Sequence, residues 1–370
     1  MKEGWVKKKL GDICEIYQPK TIATKDLLTH GKYFVYGANG IIGKYDKYNH
    51  EQSELLMTCR GATCGSINIS KPQSWINGNA MVIHPFDKDI LNLLFLKYFL
   101  KGTDLSQIIT GAAQPQITRQ ALSPLYLLLP PLPEQKQIVS ELDCLQGIID
   151  KKKEQLQELD KLAQSIFYTM FGDPVENEKG WDIDILNNAC SSITDGDHMP
   201  PPKADVGIPF ITISNIEKNT RKIDFTKTFY VPIEYYNNLK QNRIPHKGDI
   251  LYTVTGSYGI AIEMLDNKPF CFQRHIGLLR PKDFINSTYL CYWANNRRTK
   301  EQADKIATGI AQKTVSLKNL KQFKIILPPL PLQQEFADKI SAIEQQKARI
   351  AQSLQDTETL FNSRMDYYFG

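Results

Sequence analysis

The stretch LPPLPEQ at residues 129–135 decides the fold, because a near copy, LPPLPLQ, stands 198 positions later at residues 327–333. The repeat extends well beyond these two words, since the same shift aligns residues 129–172 with residues 327–370 without a gap. Self-similarity at a fixed spacing marks a duplicated architecture and fixes boundaries that composition alone would miss. The chain is therefore interpreted as a tandem duplication.

A long helix is predicted after each proline-rich word. Proline cannot continue the ladder of a preceding strand but suits the first turn of a helix, so PPLP ends one element and begins the next. Seam residues then recur at alternating intervals of four and three for about five heptads, which is typical of a coiled coil. The predicted seam residues are Ile138, Leu142, Leu145, Ile149, Lys152, Leu156, Leu159, Ala163, Ile166 and Met170 in the first copy, and Phe336, Ile340, Ile343, Lys347, Ile350, Leu354, Thr357, Phe361, Arg364 and Tyr368 in the second.

Lysines interrupt the two seams at different positions. The first copy has Lys152 where the second has Ile350, and the second has Lys347 where the first has Ile149. Polar residues at seam positions cost stability but favour one register. We therefore predict that the two helices pair with each other within one chain. A single helix over residues 134–170 would span roughly 55 Å at 1.5 Å per residue.

Each of the two helices is preceded by a lobe with a different sequence pattern. Short apolar runs separated by Gly, Asn and Pro predict strands joined by irregular polar loops, and such loops usually carry function. A helical stretch near 89–101 and a helix that Ser287 could cap complete the two lobes. The apolar runs are YFVY (33–36), ELLMTC (54–59) and NAMVIH (79–84) in the first lobe, and IPFITI (208–213), GDILYTV (248–254) and HIGLLRP (275–281) in the second.

Positive charge is concentrated in the lobes. The overall formal charge is +5 at pH 7. Residues 1–128 contain 15 Lys or Arg against 10 Asp or Glu, and residues 173–328 contain 21 against 17. The two helical segments carry a small acidic excess instead. A modest surplus of this kind suits a partner with a phosphate backbone.

Motifs for several kinds of chemistry are incomplete. YGANGIIGKY at 36–45 resembles a phosphate loop, but Ala38 stands where the first glycine belongs, and Tyr45 replaces the Ser or Thr that should follow Lys44. HExxH and GxSxG do not occur, and the six histidines show no metal-ligand spacing. PPLP contains PxxP, which adaptor modules bind, but the seam that follows in both copies favours a structural role. No cofactor or metal is predicted.

The cellular compartment is predicted from what the sequence lacks. No stretch of 18 or more apolar residues occurs, and residues 1–20 have no apolar centre like that of a signal peptide. The seven cysteines are odd in number and form no CxxC pair, so we expect reduced thiols. A cytoplasmic protein without a membrane partner is expected.

The whole arrangement resembles a known family. Two variable lobes, each followed by an LPPLPEQ-type word, a long helix and a closing Phe-Gly pair at 171–172 and 369–370, look like the specificity subunit of type I restriction-modification systems. The resemblance covers essentially the whole chain. It implies an α+β fold in which two pseudo-symmetric α/β target recognition domains are joined by two long antiparallel coiled-coil helices.

The resemblance also implies a function and a set of partners. A subunit of this family reads a split site in double-stranded DNA and is not itself an enzyme. Two modification subunits bind it and methylate adenine with S-adenosylmethionine, and restriction subunits translocate and cut DNA with ATP and magnesium. The expected segments are a first target recognition domain at 1–128, a first spacer helix at 129–172, a second target recognition domain at 173–326 and a second spacer helix at 327–370.

The residues expected to contact DNA are polar, aromatic or basic residues of the loops. Arg bonds a guanine edge with two hydrogen bonds and Asn or Gln an adenine edge, while Lys and Tyr more often hold phosphates. For any one of these residues a solvated loop side chain is the competing interpretation. The candidates are Tyr36, Asn39, Lys44, Arg60, Thr63, Asn79 and Gln114 in the first lobe, and Asn215, Thr255, Ser257, Tyr258, Arg274, His275, Gln312 and Lys313 in the second.

The word TGxAQ supports two of these candidates. It occurs at 110–114 and 308–312, where it contains Gln114 and Gln312. A structural turn that serves each lobe is the alternative interpretation of this word.

Two other classes of function stay open. One is a self-contained DNA methyltransferase or nuclease, against which the missing NPPF- or DPPY-like word and the incomplete phosphate loop argue. The other is a coiled-coil scaffold that uses PxxP and has no DNA partner. Salt-dependent DNA binding separates this second class from a DNA reader.

Overall fold

The structure, a computed structural model, describes residues 4–111, 113–309 and 313–370. The chain divides into two compact units, Met1–Glu154 with Ala351–Gly370, and Gln155–Ile350. Both divisions fall inside a long helix, so each unit holds one lobe and part of both helices. The four segment boundaries expected from the sequence remain a prediction.

Two small sheets and a two-stranded ribbon build the first unit. Its strands are β1 (Val6–Lys9), β2 (Cys14–Tyr17), β3 (Tyr33–Gly37), β4 (Gly40–Tyr45), β5 (Leu55–Thr58), β6 (Ile67–Ile69), β7 (Trp75–Ile76), β8 (Ala80–Pro85) and β9 (Tyr126–Leu129). Its helices are α1 (Leu10–Ile13), α2 (Leu93–Gly102), α3 (Arg119–Leu122) and the beginning of the long helix α4 (Leu132–Phe171). The sheet orders are β2-β8-β5-β6 and β4-β3-β7, and β1 pairs with β9.

Strand β5 lies between two apolar clusters. Successive side chains of a strand point to opposite faces. Leu55 and Met57 accordingly pack into the core that contains Phe95 of α2, whereas Leu56 packs with Ile76 on the other side. All four residues of β5 are buried, which explains why its sequence reads as a continuous apolar run.

The second unit repeats this plan. Its strands are β10 (Asp182–Ile185), β11 (Cys190–Asp195), β12 (Ile208–Ile211), β13 (Ile216–Glu217), β14 (Lys222–Ile223), β15 (Phe229–Val231), β16 (Ile250–Thr253), β17 (Ala261–Glu263), β18 (Cys271–Phe272), β19 (Ile276–Pro281) and β20 (Lys324–Leu327). Its helices are α5 (Leu186–Ala189), α6 (Ile233–Asn237), α7 (Ser287–Ala294), α8 (Arg297–Ile306), α9 (Leu317–Leu320) and the beginning of the long helix α10 (Leu330–Phe369).

The sheets of the second unit match those of the first in order. They are β11-β19-β16-β17 and β15-β12-β18, with β10 paired to β20 and β13 to β14. Strand β16 takes the place of β5, because Ile250 and Tyr252 face one core and Leu251 faces another that contains Ile211. The prediction of two similar α+β lobes is confirmed.

The apolar runs form the predicted strands, but the predicted cap of α7 is wrong. The six runs contribute β3, β5, β8, β12, β16 and β19. The side chain that caps α7 belongs to Asn286, which accepts from the backbone N–H of Tyr289. Ser287 is the first helical residue, and its hydroxyl donates to Glu263. Asn and Ser cap helices about equally well, so their order in the sequence did not decide between them.

Each proline-rich word separates a strand from a long helix, as predicted. Strand β9 ends at Leu129 and α4 begins at Leu132, while β20 ends at Leu327 and α10 begins at Leu330. Proline lies inside the first turn of both helices, where a missing N–H costs no hydrogen bond.

Within the first unit, the beginning of α4 runs antiparallel to the end of α10. The ammonium of Lys152 donates to the hydroxyls of Ser353 and Thr357, each at 2.7 Å. Farther along, Nη2 of Arg364 donates to Oε2 of Glu141 at 2.9 Å. The residue numbers rise on one helix as they fall on the other, which is the antiparallel arrangement that we expected.

Within the second unit, the end of α4 packs antiparallel to the beginning of α10. Lys347 lies 2.8 Å from Asp160. The ring of Phe336 makes edge contacts with those of Phe167 and Phe171. Every seam residue that we predicted is buried or half-buried in the structure, so the coiled-coil prediction is confirmed.

Across the described part of the chain, the helices that are long enough to cross a bilayer are too polar to do so.

Candidate nucleic-acid interface

In the first unit, hydrogen bonds hold three loops together at a junction that we call the joint. The residues after β5 receive a hydrogen bond from Ile117, whose N–H donates to the carbonyl of Cys59 at 3.0 Å. The N–H of Gly61 donates to the carbonyl of Pro115 at 2.9 Å, and the thiol of Cys59 donates to the carbonyl of Asn79. The loops that follow β5, precede β8 and precede α3 therefore meet.

A fourth segment joins them through a side chain. Thr63 donates its hydroxyl hydrogen bond to Oδ1 of Asn39 at 2.6 Å, which ties the β3–β4 turn to the loop after β5. We call the exposed residues at this junction the first loop cluster. Its members are Asn39, Arg60, Thr63, Asn79 and Gln114. Five of the seven candidates from the first lobe thus come together.

The other two candidates of the first lobe behave differently. Tyr36 is only 5% exposed, and its hydroxyl accepts from the backbone N–H of Lys71, so the expectation that its side chain is free to contact DNA is wrong. Its place on β3 turns the ring into the small core beside Ile76. Lys44 is exposed on β4, with its ammonium 5.8 Å from the ring of Phe34.

The same joint recurs in the second unit. The N–H of Gly256 donates to the carbonyl of Lys313 at 2.9 Å, and the N–H of Val315 donates to the carbonyl of Val254 at 2.8 Å. The N–H of Val254 donates to the carbonyl of His275 at 2.9 Å. The second loop cluster consists of the half-buried or exposed residues at this joint, namely Ser257, Arg274, His275 and Lys313.

Three candidates of the second lobe belong to its interior instead. Asn215 is 3% exposed, and its amide donates to the carbonyls of Asp224 and Lys227. Thr255 is 7% exposed, and Tyr258 is 9% exposed. The expectation that these side chains are available to DNA is wrong, because each polar group has an internal partner and polarity in the sequence does not require exposure. Gln312 lies outside the described residues.

The imidazole of His275 is held neutral. Partial burial, together with the nearby charge of Arg274, lowers the pKa of His275 below its ordinary value. At neutral pH this ring therefore offers one donor and one acceptor. Arg274 beside it is exposed and permanently charged. The pair supplies hydrogen-bonding groups of two kinds at one edge of the unit.

Arg243 is a neighbour of the second loop cluster that the sequence did not reveal. Its Nη1 donates to Oδ1 of Asp197 at 3.1 Å, and Asp195 lies 3.6 Å from its Nη2. The backbone carbonyl of Asp197 accepts from the N–H of Arg274 at 3.0 Å, which places Arg243 and Arg274 on the same support. Arg243 is far from the cluster in sequence and has no counterpart in a repeated word, so no pattern pointed to it.

The described residues carry hydrogen-bonding and charged side chains at the two loop clusters. They contain no group of three or more His, Cys, Asp or Glu side chains arranged to hold a metal ion. Burial raises the pKa of the Cys14 and Cys190 thiols to about 12, so neither provides a thiolate near neutral pH. Exposed guanidinium, amide and ammonium groups are what the two loop clusters offer.

Comparisons with known proteins agree with this picture. The chain is 22% identical to the type I restriction enzyme MjaVIII specificity subunit of Methanocaldococcus jannaschii, over 92% of this chain and 86% of that protein. Its fold is similar to that of the type I restriction-modification S subunit from M. genitalium, with a TM-score of 0.65 and 15% identity over 99% and 96% of the two chains. A chain from a structure that describes complex assembly and conformational transition of the type I R-M system has a TM-score of 0.58 and 18% identity over 99% and 98%.

The family comparison is decisive. The family described as type I restriction modification DNA specificity domain matches twice, at residues 2–161 and 193–357, which together make up most of the chain. The two matches agree with the tandem duplication that the sequence indicated. This chain belongs to the family of type I restriction-modification DNA specificity subunits.

Proposed function

We propose that this chain reads a split site in double-stranded DNA for a type I restriction-modification complex, with one loop cluster for each half of the site. The observation that carries the proposal is the repeated joint. Two corresponding backbone hydrogen bonds occur at both clusters, from Gly61 and Ile117 in the first unit and from Gly256 and Val315 in the second, while the exposed side chains differ. A shared scaffold with unlike side chains suits a protein that reads two unlike base sequences.

The first loop cluster carries groups for direct contact with base edges. Arg60 is exposed and can bond O6 and N7 of guanine in the major groove. Asn39 already uses its carbonyl oxygen to accept from Thr63, so it keeps N–H donors for DNA. It therefore suits base acceptors or a phosphate better than the two-bond contact with adenine. Asn79 and Gln114 retain both kinds of group for an adenine edge.

The second loop cluster has a different chemistry. Arg274 and neutral His275 are placed to read bases, because a guanidinium favours guanine and an imidazole both donates and accepts. Lys313 and Ser257 suit the phosphate backbone, as does Lys44 in the first unit. These assignments make the two half-sites unlike in sequence.

Catalysis in this proposal belongs to partners. Two modification subunits would methylate adenine with S-adenosylmethionine, and restriction subunits would translocate and cut DNA with ATP and magnesium. This chain would be non-catalytic and would bind no cofactor of its own. Reaching an adenine within a duplex requires that it be swung out of the stack, which is the modification subunit's task. The cytoplasmic location remains a prediction.

The paired helices would set the separation of the two half-sites. The proposed segments are those expected from the sequence, with target recognition domains at 1–128 and 173–326 and spacer helices at 129–172 and 327–370. A protein with two DNA-binding units commonly contacts half-sites about one turn of DNA apart. We expect a gap of fixed length between the half-sites, since a helix pair with a fixed register has one length.

The experiment that tests this proposal is a map of methylated adenines in the host genome, with and without the gene for this chain. The expected result is one two-part motif with a fixed gap, which disappears when the gene is deleted and returns with the full chain. A continuous motif, or no gene-dependent motif, would contradict the proposal. Methyl transfer by the purified chain alone would support a self-contained methyltransferase instead.

A further inference from the structure

Basic residues accumulate in one segment of the second unit. Between α7 and β20, residues 295–323 contain seven Lys or Arg and two Asp or Glu. The corresponding segment between α2 and β9, residues 103–125, contains one of each sign. Because the two units share their topology, this difference is a property of the second unit and not of the fold.

One lysine of this segment contacts the loop that carries Ser257 of the second loop cluster. The ammonium of Lys300, on α8, is 3.7 Å from the ring centroid of Tyr258, which follows Ser257 in the loop after β16. A Cβ atom built on Gly259 would come within 2.5 Å of Cδ of Lys300, so the stem of the lysine also touches the loop backbone. Lys300 therefore reaches from the helix to the loop that carries part of the cluster.

An aspartate holds this lysine in place. Asp304, one turn along α8, accepts hydrogen bonds from the ammonium of Lys300 and from the hydroxyl of Tyr258, the latter at 2.7 Å. The hydrogen bond from Lys300 lowers the pKa of Asp304 most, and the charge of Lys313, a member of the second loop cluster, lowers it further. Lys300 and Lys313 thus both act on one carboxylate, and the three side chains together carry a net positive charge.

Helix α8 is itself firmly attached. The amide of Gln302 both donates to and accepts from the backbone of Lys324 at the start of β20. Asn296 caps the helix and accepts from the hydroxyl of Tyr168 at 3.1 Å. A side chain on an anchored helix loses less entropy on binding than one on a free loop.

We propose that Lys300 is a further DNA-contacting residue, a phosphate ligand beside the second loop cluster, and that Tyr258 and Asp304 are the positioning residues that aim it. This inference rests on the proposed function and adds a contact to it. The ammonium has three donors, one of which goes to Asp304, and the side chain remains 36% exposed. A compact ammonium holds phosphate as a point charge, so this contact adds affinity without sequence preference.

The buried hydroxyl of Tyr258 thereby gains a role. A tyrosine that is 9% exposed does not meet DNA directly. Its ring and hydroxyl fix two sides of the Lys300 ammonium through the cation–π contact and through Asp304. The effect of Tyr258 on DNA binding should therefore depend on Lys300.

The test uses the full chain assembled with its modification subunits. Binding is measured over a range of salt concentrations with two duplexes, one that carries the methylated motif and one with that motif scrambled. Lys300→Gln should weaken binding to both duplexes by the same factor and reduce the slope of log affinity against log salt by about 1. The matched control is Lys305→Gln, which removes an exposed lysine from the same helix but from another face.

The positioning role has its own readout. Tyr258→Phe keeps the ring but removes the hydroxyl, and should weaken binding to both duplexes by less than Lys300→Gln does. Adding Tyr258→Phe to Lys300→Gln should have no further effect, because the two changes act on one contact.

Each outcome separates this inference from the proposed function. Suppose that the wild-type complex distinguishes the two duplexes, but Lys300→Gln shows the same salt slope as Lys305→Gln. The phosphate contact is then refuted, while the proposed DNA-reading function stands. A loss confined to the motif duplex would also refute it, since it would mark a base contact. If the unmodified complex does not distinguish the duplexes, the proposed function fails and the inference falls with it.

Discussion

The side-chain oxygen of Gln135 accepts a 2.8 Å hydrogen bond from the backbone N–H of Asn92, the residue that caps α2. The amide of Gln135 donates to the carbonyls of Pro130 and Ile90, also at 2.8 Å. The glutamine is buried, so it fastens the beginning of α4 to the loop in front of α2. All of these bonds lie within the first unit.

The second unit contains the same fastening. Gln333 accepts from the backbone N–H of Asn286, which caps α7, and donates to the carbonyls of Pro328 and Phe284. The glutamine that ends LPPLPEQ and LPPLPLQ therefore has a structural role. The motif occurs twice because each lobe holds its long helix in the same way.

Replacement of Gln135 by Ala should destabilise the first unit. It removes the partner of the Asn92 N–H and of two carbonyls, of which the Pro130 carbonyl takes part in a buried bond. One buried group left unpaired costs about 1–3 kcal/mol. The free energy of unfolding, measured with urea, should fall by at least that amount for one group. Gln137→Ala is the matched control, since Gln137 is exposed on the same helix. Equal stability of the two variants would contradict the structural role.

The ion pair between Glu141 and Arg364 should make helix pairing in the first unit sensitive to acid. Hydrogen bonds from Arg364 and then from Tyr368 lower the pKa of Glu141 below its ordinary value. A carboxylate with a lowered pKa in the folded state stabilises that state above its unfolded pKa, about 4.3, and the stabilisation is lost as pH falls through the folded value.

Urea unfolding at several pH values measures this effect. The wild-type chain should be more stable than Glu141→Gln at pH 6, and the difference should shrink on going to pH 3 because protonation imitates the substitution. Other carboxylates titrate in both proteins, so they cancel in the difference. A difference that is independent of pH would show that the pair does not contribute through charge.

Arg60→Ala tests direct base reading in the first unit. If Arg60 bonds a guanine, the substitution should cost on the order of 1–3 kcal/mol on the motif duplex and much less on a scrambled one. Arg119→Ala removes another exposed arginine of the same unit and serves as the control. An equal loss on all sequences would make Arg60 a phosphate contact.

Sequence patterns predicted those elements that obey a simple periodicity. The seam from Ile138 to Met170 repeats every seven residues, and a heptad repeat maintained so long has one stable solution. Buried strands such as β5 and β16 could be identified because both of their faces are apolar. The duplication then supplied the division into two lobes.

Contacts between distant loops could not be predicted in the same way. Tyr36 and Tyr258 were expected to be exposed, but both rings are buried and their hydroxyls bond Lys71 and Asp304, contacts that no local pattern reveals. Arg243 joins the second loop cluster through Asp197, far away in sequence. The cluster residues Asn39, Arg60 and those around them were found because they lie at the ends of strands that the sequence did indicate.

The most direct test of the account is an exchange of residues 1–128 for the corresponding lobe of a relative that reads another site, followed by a map of methylated adenines in the host. The account predicts that one half of the motif changes, while the other half and the gap between them remain. A change in both halves would contradict it, because it would show that the two lobes do not read their half-sites independently.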